Sequence, residues 1–131
     1  MEADQFTLEE ANTLVPWLQE RFHGLETRRQ EYISLKNQFD EIVHDPTKDG
    51  STEDPELAQT AAHLKDLAGQ IEDAVQEILD RGIIVRDVTS GLVDFPSQRD
   101  GREIFLCWIG GEDRIEFWHE TDQGFQNRKP L

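Results

Sequence analysis

From Leu57 to Ile78 the apolar residues fall at Leu57, Ala61, Leu64, Ala68, Ile71, Val75 and Ile78, alternating steps of four and three that mark one seam of a coiled-coil-type helix. The upstream stretch keeps the rhythm through Leu18, Phe22, Leu25, Arg29, Tyr32, Lys36, Phe39 and Val43, with two cations inside the stripe. Folding one back on the other across Asp45 to Pro55 pairs positions whose numbers sum to about 100. Phe39 then faces Ala61, Tyr32 faces Ala68, Leu25 faces Val75 and Phe22 faces Ile78, large against small in the outer layers. Arg29 and Lys36 are expected to set the register by reaching carboxylates such as Glu72 across the hairpin.

Boundary signals agree with two long helices. Thr7 and Glu10 form a capping box, so a short helix starts at Leu8 and bends before Pro16. The first long helix is expected from Val15 to about His44. The second runs from Pro55, capped by Asp54, to about Arg81, and Gly82 ends it. Beyond Gly82 the period shortens to that of a strand, and β-branched and aromatic residues take over in Ile83–Val88, Leu92–Phe95, Glu103–Ile109 and Arg114–His119. The predicted fold class is α+β, a long antiparallel helical hairpin over residues 1–82 followed by a four-stranded antiparallel β-meander and tail over 83–131, in a single domain.

A turn at Gly110–Asp113 would place Ile104, Leu106, Trp108, Ile115, Phe117 and His119 on one face of the meander and Phe105, Cys107, Ile109 and Trp118 on the other. One helical hairpin covers one face. The other predicts a homodimer, or a different protein partner.

Charge narrows the partners. The net charge of −15 repels phosphate backbones and anionic lipid, so neither nucleic acid nor membrane is expected. Residues 1–82 hold 19 acidic against 7 basic residues, which places most of that charge on the helices. The single cysteine, Cys107, has no partner within the chain for a disulfide, and the opening MEADQFTLEE lacks the basic start and apolar run of a signal peptide. A cytoplasmic location is the resulting expectation.

Three blocks, FTLEEANTLVPWL, GLVDFPSQRDGREIFLCW and IEFWHETDQGFQNRKPL, together resemble the bacterial domain-of-unknown-function family 2203. The family pattern G-L-V-D-F, G-R, L-C-W, G-E and W-H-E is matched in order. The closing G-R-x-P element reads Asn127-Arg128-Lys129-Pro130, with asparagine in place of glycine. The resemblance implies a shared fold and leaves mechanism open.

Candidate chemistry is sparse. A register pairing Asp94 with Ile104 and Ile104 with His119 puts Asp94 and His119 in one row, with Glu120 beside them, and these three are the metal-ligand candidates. The competing reading is a histidine neutralised by a carboxylate at the rim of a core, with Cys107 a small buried hydrophobe on the opposite face. Arg99 and Arg102 in the following turn are the anion-binding candidates. The loop Asp45 to Glu56 spaces its oxygens like a calcium loop, but Pro46, Thr52 and Pro55 oppose that geometry, so tight calcium binding is not expected. No phosphate-binding loop, dinucleotide fingerprint or nucleophile elbow occurs. The reading is an interaction or assembly module without a cofactor. Its alternative is a small metal-dependent enzyme or metal-binding protein using a divalent ion.

Overall fold

The computed structural model describes residues 5–47 and 54–131. Half of the calcium-like loop, residues 48–53, lies outside them. The elements are α1 (Leu8–Thr13), α2 (Val15–Val43), α3 (Pro55–Leu79), β1 (Ile84–Asp87), β2 (Leu92–Arg99), β3 (Arg102–Trp108), β4 (Phe117–Glu120), a 3-10 turn (Phe125–Asn127) and β5 (Lys129–Pro130). They form two compact units, one of Met1–His23 with Val75–Leu131 and the other of Gly24–Ala74.

Local chemistry sets the helix ends. Thr7 Oγ1 accepts from the Glu10 amide at 3.1 Å, and Glu10 Oε1 accepts from the Thr7 amide at 3.0 Å, which satisfies two donors that the first turn leaves unpaired. Asp54 Oδ1 accepts from the Glu56 amide at 2.9 Å and so caps α3. α3 stops at Leu79, two residues before the expected end, and the chain turns out through Gly82 at a φ of 85°.

In the Gly24–Ala74 unit the two helices run antiparallel, since Arg28 donates to Gln70 at 3.0 Å while Glu31 lies 3.7 Å from His63. The seam keeps Leu57 and Leu64 but leaves the predicted line at the alanines. Leu57, Leu64 and Leu67 are buried and Thr60 half-buried, whereas Ala61 and Ala68 are exposed. The stripe therefore continues through the neighbouring heptad position. On α2, Leu35 and Ile42 turn inward in place of Lys36 and Val43. A leucine buries several times the apolar area of an alanine, so it wins where both fall near the seam. Arg29 and Lys36 do not reach across to Glu72. They pair within their own helix, with Glu26 at 3.1 Å and Asp40 at 2.9 Å, the usual one-turn ion pairs. We expect Leu67→Ala to cost about 2–5 kcal/mol and Ala68→Lys almost nothing, as read by urea denaturation. The reverse ranking would restore the predicted seam.

The other unit holds a five-stranded antiparallel sheet in the order β1-β2-β3-β4-β5, one strand more than the sequence suggested. The added strand is the short Lys129–Pro130 segment, which pairs with β4. β2 also runs four residues further than expected, through Pro96. That proline opposes Phe105, and its carbonyl accepts from the Phe6 amide at 2.7 Å on the side away from β3, so its missing N–H leaves the β2–β3 ladder intact. The hairpin then closes on Asp100 and Gly101 alone, both at positive φ (54° and 77°), the backbone of a two-residue primed turn.

This turn sets Asp94 opposite Cys107 rather than Ile104. Between β3 and β4 the loop is also longer than predicted. Buried Ile115 gives its amide to Asn12 Oδ1 at 2.7 Å instead of to a ladder, and His119 opposes Phe105. A one-residue shift in an antiparallel pair exchanges the two faces. Val93, Phe95, Ile104, Leu106, Trp108 and Trp118 thus form the packed face, against which Phe6 meets Phe95 (5.2 Å) and Phe22 meets Trp108 (6.2 Å). Asp94, Phe105, Cys107, Phe117 and His119 share the other. The chain's own C-terminal segment covers part of that second face through Arg128, which stacks on Phe117 at 4.1 Å and Phe125 at 4.3 Å. The uncovered face from which a homodimer was expected is therefore partly closed by the chain itself.

Candidate metal centre

Three strands deliver three side chains to one buried point. Asp94 from β2, Cys107 from β3 and His119 from β4 are respectively 2%, 0% and 1% exposed, and one ligand atom from each lies within 4.8 Å of the others. His119 Nε2 is 2.9 Å from Asp94 Oδ1, and its Nδ1 is 2.8 Å from the Glu120 carbonyl. A carbonyl only accepts, so Nδ1 carries a hydrogen. The short contact at Nε2 then requires a second proton shared with the carboxylate. Asp94 Oδ2 accepts from Arg86 Nε at 2.8 Å. Arg86 owes that reach to a β-bulge, the register shifting between Val85 and Asp87 so that Arg86 is the extra residue of β1.

Asp94 and Arg128 both lie near enough to Cys107 to act on its thiol. Burial pushes its thiol up from 9.0 to about 12, the Asp94 carboxylate adds to the rise, and Arg128 opposes it. Arg128 is held by both oxygens of Glu112, each at 3.2 Å, and Glu112 Oε1 also accepts from the Ile109 amide at 3.0 Å. The β3–β4 loop and the C-terminal segment are thereby tied together beside the thiol.

The structure brings Asp94 and His119 together as the sequence suggested, but it separates Glu120. The Glu120 side chain points to the opposite face, where Arg102 donates to it at 2.8 Å and Lys129 lies 3.7 Å away. Only its backbone carbonyl serves the site. Cys107, assigned to the far face from sequence, takes its place as the third ligand-type side chain of the cluster, because the face exchange described above moves it. Arg99 and Arg102 oppose each other across the hairpin but do not converge with the buried cluster. Arg102 is engaged by Glu120, and Arg99 stacks over Trp118 at 4.8 Å.

A carboxylate oxygen, a thiolate sulfur and an imidazole nitrogen suit a borderline ion such as zinc, which takes bonds of about 2.0–2.3 Å in a tetrahedron. The second sphere is in place, with the histidine ring fixed by a carbonyl and the carboxylate by a guanidinium. A cavity of about 400 Å³ adjoins the cluster, with Arg86, Leu92, Asp94, Cys107, Gln123 and Phe125 in its lining.

This sheet of five short strands, packed with helices and carrying a buried Asp–Cys–His cluster on one face, defines the protein as α+β. The chain belongs to the family of uncharacterized conserved proteins DUF2203, whose model matches residues 5–131. No curated protein and no solved structure matches it.

Proposed function

We propose that this protein binds one divalent transition-metal ion of the zinc type through Asp94, Cys107 and His119. The observation that carries the reading is the convergence of three chemically suitable ligand atoms within 4.8 Å, all buried. Three protein ligands leave a tetrahedral ion one open position, the arrangement of metal sites that bind or activate a small molecule. A thiolate ligand persists where thiols stay reduced, which supports a cytoplasmic setting. The test is elemental analysis of the purified, untagged protein, followed by titration with zinc. About one equivalent is expected in the wild type and none in Cys107→Ser combined with His119→Ala. A wild type that neither carries nor takes up zinc would remove the reading.

The interaction-module reading has its own support in the Gly24–Ala74 unit, where Ile33 (41%) and Val43 (40%) remain exposed on α2. Such residues on an otherwise charged helix are points of contact for a protein partner.

A further inference from the structure

We propose that the open position of this ion receives a small monocarboxylate carrying an apolar or aromatic group. The inference rests on the metal reading above. It begins from the position of the cavity, which reaches Asp94 and Cys107 but not His119, so a ligand in the cavity meets the ion from the side that the imidazole leaves free.

Arg86 supplies the anchor. Its Nε is committed to Asp94 at 2.8 Å, its guanidinium lies over the Phe105 ring at 5.3 Å, and its side chain is 45% exposed on the cavity wall, so the in-plane N–H groups at its far end remain accessible from the cavity. A guanidinium presents paired N–H donors in a plane, which fits the two oxygens of a carboxylate. One oxygen of the ligand reaches the ion while the other accepts from Arg86.

Charge selects a monoanion. A divalent ion with a thiolate, a carboxylate and a neutral imidazole is net zero, and Arg86 raises the site to plus one. The neighbouring Arg128 is already neutralised by Glu112. A monocarboxylate restores neutrality. A dianionic phosphate overshoots it in a chain of net charge −15, with Asp122 also lining the cavity.

The walls select the substituent. Leu92 and Phe125 give the cavity an apolar side, and Phe125 is held in place by the Arg128 guanidinium 4.3 Å from its ring. At about 400 Å³ the space takes a benzoate-sized acid.

The full chain loaded with cobalt(II) in place of zinc reports the coordination sphere through its visible absorption. Titration with acetate, benzoate and inorganic phosphate should shift the bands saturably for the carboxylates, benzoate at lower concentration than acetate. Arg86→Gln should weaken benzoate roughly 10–100-fold, the loss of a charged hydrogen-bond pair. Phe125→Ala should weaken benzoate more than acetate and so remove the preference between them. A cobalt spectrum that forms normally but ignores both carboxylates, or that responds best to phosphate, overturns the inference and leaves the metal reading standing. If no thiolate-to-cobalt band forms at all, the metal reading fails and this inference with it.

Discussion

In metal-free protein, His119→Ala should destabilise the fold by about 3–5 kcal/mol, the scale for removing one partner of a buried ion pair. The side chain is 1% exposed and its Nε2 lies 2.9 Å from an Asp94 carboxylate that is itself almost fully buried. Deleting the imidazole removes the hydrogen-bonding partner of Asp94 Oδ1, so Arg86 on Oδ2 alone must hold the buried carboxylate. Arg86 is half-exposed and already uses Nε on the other oxygen. Asp94→Ala in the same background removes the anion that was left unsatisfied. The double variant His119→Ala/Asp94→Ala should therefore lose less than the sum of the two single losses, by about 1–3 kcal/mol. Urea denaturation of the four proteins in a chelator measures that coupling. Strict additivity would mean that the two side chains do not depend on each other in the folded state. Zinc should raise the stability of the wild type and leave the His119 variant unmoved, which separates the structural role of the ring from its role as a ligand.

Why Asp94 and His119 were legible while Cys107 was not is a matter of parity. Alternation assigns each strand residue to one of two faces, but which face meets which depends on turn lengths that differ by one residue. The Asp100–Gly101 dipeptide held the answer for β2 and β3, since Asp-Gly is a preferred sequence for a two-residue primed turn. Pro96 obscured it by arguing for an early end to β2. It is tolerated because its bare nitrogen faces the N-terminal segment at Phe6. Between β3 and β4 the Gly110–Gly111 pair offers the same signal but does not form a two-residue turn, since only Gly111 has a positive φ and pairing starts at Cys107 with Phe117. The loop is shaped by Glu112 binding the Ile109 amide within the loop, and by two contacts from further along the chain, Asn12 to the Ile115 amide and Arg128 to Glu112. β5 is two residues long and carries no periodicity.

The helices were more legible because their ends are local events. Thr7 with Glu10, and Asp54 before Pro55, act within one turn. The seam was misplaced on α3 where a hydrophobic class label hides size, Leu67 being buried where Ala68 was expected, and on α2 by one residue, Leu35 and Ile42 turning inward in place of Lys36 and Val43. The two cations that looked anomalous in the stripe were the sign of that error, and both resolve into ordinary pairs on one helix.

The pH dependence of stability should differ with and without metal, flat to about pH 9 and then falling in metal-free protein, but rising up to about pH 9 with zinc bound. In metal-free protein the Cys107 thiol titrates at about 12 against 9.0 for an ordinary one, so between these values the folded chain holds a proton that the unfolded chain has lost. Stability contributed by this residue is complete below about pH 9 and is lost as pH rises toward 12, roughly 4 kcal/mol in all. With zinc bound, the folded state carries a thiolate while the unfolded chain below about pH 9 carries a thiol. The unfolded state then binds the extra proton, and stability rises with pH by about 1.4 kcal/mol per unit up to that point. Cys107→Ser supplies the baseline for every other titrating group, because serine does not ionise in this range. Chemical denaturation from pH 6 upward, with and without zinc, should show the wild type minus Cys107→Ser difference flat and then falling in the first case, and climbing to about pH 9 in the second. Parallel curves would show that the thiol does not ionise on metal loading, and Cys107 would lose its place among the ligands.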